Sequence, residues 1–222
     1  MPGTTVKTEA IVLRSIRYGE ADRILHLYSK TRGRIGAIAK GSRKPKSRFG
    51  GRLEPFFRLD LLLHEGRGEL LTVTGVTTLD GYPRLRSSGP ALSAGARACD
   101  AVLRLLDSAE PNLPAYNLLS RYLQLLDEPD QPRSTSLEAA LSFRLKLAMV
   151  AGFSGAAGGV VCASCEADSF SLSGEAHGFM VEALAKPLSE APEAEPPALR
   201  QVERAIGETL EHHAHVQLRA AA

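Results

Sequence analysis

Asp22-Arg23-Ile24-Leu25-His26-Leu27-Tyr28-Ser29-Lys30-Thr31-Arg32-Gly33-Arg34-Ile35-Gly36-Ala37-Ile38-Ala39-Lys40-Gly41 reads as two strands joined by a turn. Ile24 to Tyr28 has strand composition and Arg32-Gly33 supplies the turn. Ile35, Ala37 and Ala39 then share one face, with Gly36, Ile38 and Lys40 on the other. Towards the N-terminus, Ile11 and Leu13 alternate with Val12 and Arg14, and Tyr18-Gly19-Glu20-Ala21-Asp22 ends that run. Towards the C-terminus, Phe56 to His64 and Glu69 to Thr78 add two strands, joined through Glu65-Gly66-Arg67-Gly68, which has hairpin chemistry. Five short strands suit a small Greek-key barrel. The OB-fold is the five-stranded member that uses its strand face and loops on oligonucleotides, and an SH3-like barrel gives nearly the same pattern.

The second hairpin strand runs into the most basic part of the chain. Between Lys30 and Arg58 stand ten Lys or Arg residues and one acid, Glu54, with the densest run at Arg43-Lys44-Pro45-Lys46-Ser47-Arg48. Phosphates neutralised by such side chains release condensed counterions, which gives a sequence-independent, salt-sensitive affinity for nucleic acid. A merely solvated loop is the alternative, and the charge distribution argues against it. Residues 1–89 carry 17 basic and 8 acidic side chains, whereas residues 90–222 carry 10 and 17, so the formal net charge of +2 hides two oppositely charged halves.

At 222 residues and 44% hydrophobic content, the chain is long enough for a substantial core and for two small domains. It has no apolar run near the roughly 20 residues that span a bilayer, and Met1-Pro2-Gly3-Thr4-Thr5 lacks a charged start followed by an apolar stretch, so a cytoplasmic location is expected. Three cysteines, two of them close together, make no disulfide framework. After Pro90 the period changes to that of helices. Leu92, Ala96, Cys99, Leu103 and Leu106 form one stripe, and Tyr116, Leu119, Leu123 and Leu126 a second. Thr135 and Glu138 have capping-box spacing ahead of Leu137, Leu141, Leu145 and Ala148. Residues 186–197 read as an exposed linker, followed by an amphipathic helix through Leu199, Val202, Ile206 and Leu210. The domains expected are 1–84, the barrel, and 85–222, helical; the fold class is α+β.

Cys162-Ala163-Ser164-Cys165 has the spacing of half a zinc knuckle. Its second half is missing: no other CxxC follows, and His177 is the nearest nitrogen donor. Zinc is possible with an incomplete ligand set, and no cofactor is required. Cys99 lies on a helical stripe, as a packed core thiol does. His26 and His64 have no neighbouring nucleophile motif, and no phosphate-cradling Gly-rich loop, HExxH or GxSxG occurs, so the reading is non-enzymatic. For holding bases, Tyr18 in the first turn and Phe49 in the basic loop are the stacking candidates, while Phe56 and Phe57 read as core. Arg14, Arg17, Arg23, Arg32, Arg34, Lys40, Arg43, Lys44, Lys46 and Arg48 are the expected phosphate contacts.

Thr8-Glu9-Ala10-Ile11-Val12-Leu13-Arg14, Tyr18-Gly19-Glu20-Ala21-Asp22-Arg23-Ile24, Tyr28-Ser29-Lys30-Thr31-Arg32-Gly33-Arg34, Ala37 to Lys44 and Leu53-Glu54-Pro55-Phe56 together resemble the bacterial recombination mediator family RecO. The resemblance is most specific over the first 60 or so residues and follows domain order over the whole chain. It implies an N-terminal OB-fold, a helical domain, and within it a zinc-ribbon-like segment, here degenerate, at 160–185. Val181 and Leu184 stand where many members have a second CxxC. The resemblance further implies binding of single- and double-stranded DNA, annealing of complementary strands, a nucleoid-associated location, and a partnership with RecR that loads RecA onto DNA coated by single-stranded-DNA-binding protein. Docking of that protein's acidic C-terminal tail is expected in an apolar groove between the helices at 92–106 and 137–148, with Arg121 and Arg144 as its cations. The alternative reading is an RNA-binding OB-fold module of translation or RNA processing.

Overall fold

The computed structural model describes residues 4–66, 68–129, 131–153 and 172–221. Contacts divide the chain into two compact units, Met1–Glu128 and Pro129–Ala222. In the first, β1 (Thr5–Tyr18), β2 (Asp22–Ser29), β3 (Gly33–Ala39), β4 (Arg58–His64) and β5 (Leu71–Asp80) close into a barrel in the order β1-β2-β3-β5-β4. Every pairing is antiparallel except β3 with β5, which is parallel and short. That closed order is the OB-fold arrangement.

Strand alternation fills the barrel. Ala10 and Val12, Leu25 and Leu27, Ala37 and Ala39, Leu59, Leu61 and Leu63, and Val73 point inward and are buried together, as side chains two apart on a pleated strand must be. Phe49 and Leu53, from the loop between β3 and β4, complete this core.

The expected faces of β1 are revised by a bulge. Val12 pairs with Leu27 and Arg14 with His26, so Leu13 is an extra residue that reverses the alternation. Before it, Ala10 and Val12 face in and Ile11 faces out; after it, Arg14, Ile16 and Tyr18 face out. The bulged segment is tied to the turn ahead of β4, where the Phe56 amide donates to the Val12 carbonyl at 2.8 Å and the Val12 amide to the Phe57 carbonyl at 2.9 Å. Phe56 adopts φ +77°, an unusual conformation for a bulky residue. Arg86 clamps it: Nε donates to the Gly81 carbonyl at 2.7 Å, Nη2 donates to the Pro55 carbonyl, and the guanidinium lies 4.1 Å from the Phe57 ring centroid.

Three helices continue the same unit: α1 (Pro83–Ser87), α2 (Gly89–Leu105) and α3 (Leu113–Asp127). The Ser88 hydroxyl and the Asn112 carboxamide cap α2 and α3, with a proline in each first turn. α2 packs on β1 and α3. Ile11 and Tyr28, paired on the outer face, are buried without belonging to the barrel core. Tyr116 Oη donates to Glu9 Oε1 at 2.8 Å from α3 to β1. The stripe of α2 also differs from expectation: Ala91, Ala94, Gly95, Ala98, Cys99, Ala101, Val102 and Leu105 are buried, whereas Leu92 and Ala96 are exposed. Small side chains let the helix approach closely, and a Cβ on Gly95 would come within 3.3 Å of the Phe56 ring. Cys99 is a free, buried thiol, and burial pushes its pKa up to about 12. The expected boundary at 84/85 thus falls inside α1, and the compact unit runs on to Glu128 because α2 and α3 bury their apolar sides within it.

The second unit is built from α4 (Leu137–Val150), α5 (Gly174–Ala185) and α6 (Pro196–Ala214), with α4 packed on both others. The cap of α4 is Ser136, whose hydroxyl accepts from the Ala139 amide at 3.2 Å, one residue later than the expected Thr135; Pro132 starts a 3-10 turn that takes Thr135 into it. Leu199, Val202, Ile206 and Leu210 are buried on α6 as the periodicity requires. Residues 186–197 are mostly exposed, as expected of a linker, and carry two surface ties: Arg133 Nη1 pairs with Glu193 at 2.6 Å, and the Glu195 amide donates to Glu175 at 2.7 Å. Cys162 and Cys165 lie outside the described residues. The last part of the segment read as zinc-ribbon-like is helix α5.

Gly33 and Gly50 separate two kinds of glycine requirement. Both have positive φ, yet a Cβ on Gly33 would run into the Glu110 carbonyl, whereas one on Gly50 meets nothing within 4 Å. Gly50→Ala is expected to lower unfolding free energy by about 1 kcal/mol and Gly33→Ala by at least about 2 kcal/mol, measured by urea denaturation.

Candidate nucleic-acid interface

The loop between β3 and β4 leaves the barrel at Lys40 and is folded back on it by main-chain bonds. The Gly41 amide donates to Asp22 Oδ1 at 2.7 Å and the Arg43 amide to the Ala21 carbonyl at 2.8 Å, which fastens the loop to the β1–β2 turn. Successive turns follow, with the Lys44 amide on Gly41, Ser47 on Lys44, Gly50 on Ser47 and Arg52 on Phe49. Phe49 then enters the core. The charged residues of this stretch are directed outward, and Arg43, Lys44, Lys46 and Arg48 are all exposed.

The basic loop and the β1–β2 turn therefore meet at one end of the barrel. Arg17, Tyr18, Lys40, Arg43, Lys44, Lys46, Arg48 and Arg52 are exposed here, and Arg14 is exposed further back along β1. None of these cations is in an ion pair among the described residues. Arg43 Nη1 donates only to the Gly19 carbonyl, at 3.2 Å. Such a concentration of unneutralised like charge has no stabilising counterpart within the unit, and it creates a positive potential that attracts a polyanion.

Several expected phosphate contacts have partners within the protein. Arg23 lies at the barrel mouth, where Nη2 pairs with Glu54 Oε1 at 2.7 Å and Nη1 donates to Ser15 Oγ at 3.0 Å. Arg32 and Arg34 sit at the opposite end of β3, roughly 20 Å away along a seven-residue strand. There Arg32 pairs with Glu65, while Arg34 Nη1 donates to the Leu103 carbonyl at 3.1 Å. Lys30 and Arg58 are likewise held by Glu9, at 3.3 and 3.5 Å.

Phe49 is not a stacking platform. Only 1% of its surface is exposed, because its ring is part of the barrel core, and Arg48 covers it with its guanidinium 4.9 Å from the ring centroid. Tyr18, 54% exposed, remains the free ring at this end. What the sequence reading missed is the outer-face row Ile16–Ile24–Ile38, aligned across β1, β2 and β3. Ile16 is exposed and the other two half-buried, and the bulge that turns Ile16 outward leaves no mark in the alternation.

The expected partner cations also separate. Arg144 is 6% exposed, with Nη1 3.3 Å from Glu203 Oε1 and Nη2 donating to the Arg219 carbonyl, so it serves as a buried structural pair rather than as a docking cation. Arg121 is exposed on α3 and has no ion pair among the described residues. The expected groove joins α2 and α4, which belong to different units, and each packs against elements of its own. His177 is exposed on α5; Val181 and Leu184, also exposed there, are apolar. Among the described residues no three His, Cys, Asp or Glu side chains are grouped to hold a metal ion.

The two halves of the chain match two family models: Recombination protein O N terminal over residues 1–82 and Recombination protein O C terminal over residues 86–221. The chain is 37% identical to a Rubrobacter xylanophilus protein named DNA repair protein RecO, over 90% of this chain and 89% of the relative. Proteins of the same name from Geobacter sulfurreducens and an Anaeromyxobacter species are 35% and 30% identical, covering 77% and 94% of this chain and 76% and 91% of the relatives.

The contrast between core and surface rings is measurable. Phe49→Ala is expected to lower unfolding free energy by about 3–5 kcal/mol, as emptying a packed aromatic site does, whereas Tyr18→Ala stays within about 0.5 kcal/mol of the parent. Chemical denaturation of both variants reads this directly.

Proposed function

Because the chain belongs to the recombination protein O family, we propose that it is a non-enzymatic DNA repair protein. In this reading it binds single- and double-stranded DNA, anneals complementary strands and, with RecR, helps load RecA on DNA coated by single-stranded-DNA-binding protein. The observation that carries the DNA-binding part is the set of exposed, unpaired cations at the loop end of the barrel. Annealing follows from the same charge: two strands repel through their phosphates, and a surface that screens both lets their bases meet. With Phe49 in the core, the site has few rings for base stacking, so phosphate contact dominates the affinity.

No helix of the described residues is long and apolar enough to cross a membrane. Work at the nucleoid in the cytoplasm is part of the proposal. The residues at hand do not fit a closed tetrahedral zinc site, since Val181 and Leu184 cannot supply ligands. The proposed activity therefore uses no metal. Arg121 is the remaining candidate for an acidic partner segment, such as the tail of single-stranded-DNA-binding protein.

Replacing Arg43, Lys44, Lys46 and Arg48 by Gln should weaken binding to a single-stranded oligonucleotide and reduce the slope of log affinity against log salt by up to about 3. Arg32→Gln should leave that slope unchanged. Fluorescence anisotropy over a salt series checks both, and an unaltered slope in the fourfold variant would remove the loop from the site. Strand annealing on DNA separates this reading from an RNA module, which would prefer ribose and pair no DNA strands.

Metal analysis of protein purified without chelator should give well under one zinc per chain. One tightly held zinc lost on His177→Ala would show that another ligand set completes the half-site.

A further inference from the structure

Asp22 and Arg23 stand next to each other at the start of β2 and hold opposite ends of the basic loop. Asp22 lies across from Tyr18 of β1, and its Oδ1 accepts the Gly41 amide at 2.7 Å, where the loop begins. Arg23 donates from Nη2 to Glu54 Oε1 at 2.7 Å, where the loop ends, and from Nη1 to Ser15 Oγ at 3.0 Å. Successive side chains of a strand point to opposite faces, so these neighbours reach two distant loop positions from two sides of β2. Main chain strengthens the first grip. The Arg43 amide donates to the Ala21 carbonyl at 2.8 Å, and Gly41 takes φ +67°, a conformation that favours glycine.

Asp22 and Glu54 are acids set among the cations of this end of the barrel. By charge alone each lowers the positive potential that a polyanion meets. Among the described residues, however, Asp22 forms no ion pair, and Glu54 pairs with Arg23 at the barrel mouth rather than with an exposed loop cation. Their carboxylates are used at the two roots of the loop. A loop fastened there keeps Arg43, Lys44, Lys46 and Arg48 in place before a ligand arrives. A loose loop loses conformational freedom on binding, and that loss subtracts from affinity.

We propose that Asp22, Arg23 and Glu54 are positioning residues of the nucleic-acid interface: they touch no phosphate, and they set its affinity by holding the basic loop ready. Arg23 acts through Glu54, and Asp22 acts through the Gly41 amide. The arrangement reverses the sign that charge alone dictates, since losing either acid makes the protein more positive and yet weakens its hold on a polyanion.

This inference rests on the nucleic-acid reading, and two measurements on the full chain keep the two apart. An oligodeoxythymidylate is titrated at fixed salt and pH into the parent, Asp22→Asn, Asp22→Ala and Glu54→Ala. Asn and Ala remove the same charge, but only Asn keeps an acceptor for the Gly41 amide. Asp22→Ala should bind more weakly than the parent, and more weakly than Asp22→Asn by several-fold, up to roughly tenfold. Glu54→Ala should also bind more weakly than the parent, although it removes an acid. In parallel, amide hydrogen exchange without DNA reads the loop itself: Gly41 and Arg43 should exchange faster in Asp22→Ala than in Asp22→Asn, with the barrel strands unchanged. Equal binding by the two Asp22 variants, or Glu54→Ala binding as tightly as the parent, overturns the proposal. If the barrel strands of Asp22→Ala also exchange fast, that variant is unfolded and Glu54→Ala decides alone. Absence of oligonucleotide binding in every protein would instead sink the nucleic-acid reading, and equal exchange at Gly41 and Arg43 in the two Asp22 variants would still overturn the hold on the loop.

Discussion

One extra residue in β1 sets the layout of the whole first unit. Without Leu13 as a bulge, period-2 alternation would send Arg14, Ile16 and Tyr18 into a barrel already filled by Val12, Leu25, Leu27 and Ala37. With it, one strand does two jobs. Its first half turns Glu9 and Ile11 outward, where α2 and α3 cover them, and its second half turns Arg14, Ile16 and Tyr18 to solvent. The bulge is held by paired main-chain bonds to the Phe56–Phe57 turn, and that turn is held by Arg86. Helix packing, the strained turn and the open strand face thus share a single backbone device.

Electrostatics divides the basic residues in the same way. Cations near the helices and at the far barrel end have acids or carbonyls as partners: Lys30 and Arg58 on Glu9, Arg32 on Glu65, Arg34 on Leu103. Cations at the loop end have no ion pair among the described residues, and Arg43 and Arg52 reach only carbonyls, of Gly19 and Val76. Exposed ion pairs contribute little to stability, so pairing is no explanation for where these residues stand. What positions them is Phe49, an apolar anchor that fixes a cationic loop on the barrel.

The helical unit follows a different logic. Arg144, central on α4, is buried against Glu203, and the same carboxylate accepts the Ala221 amide at 2.6 Å. Removing Glu203 would leave Arg144 as an uncompensated buried charge, which is the costly case. A cation used in this way tethers the end of the chain to α4 and α6.

The sequence by itself determined the five strands, four of the helices, the charge asymmetry and the position of the basic loop, because each is written in local periodicity, turn chemistry and composition. Family membership was also legible, in the motifs of the first strands. What the sequence could not decide was which way residues face after an irregularity and which charges find partners. The bulge at Leu13 inverted the faces of β1. Alanine-rich close packing shifted the buried stripe of α2 off its leucines. Phe49 and Arg144, read as available surface groups, proved to be interior ones. Each depends on atoms brought from distant sequence: β2 and the Phe56 turn for Leu13, the barrel core for Phe49, α6 for Arg144. Burial and ion pairing are properties of neighbours in space, and only the folded chain supplies those neighbours.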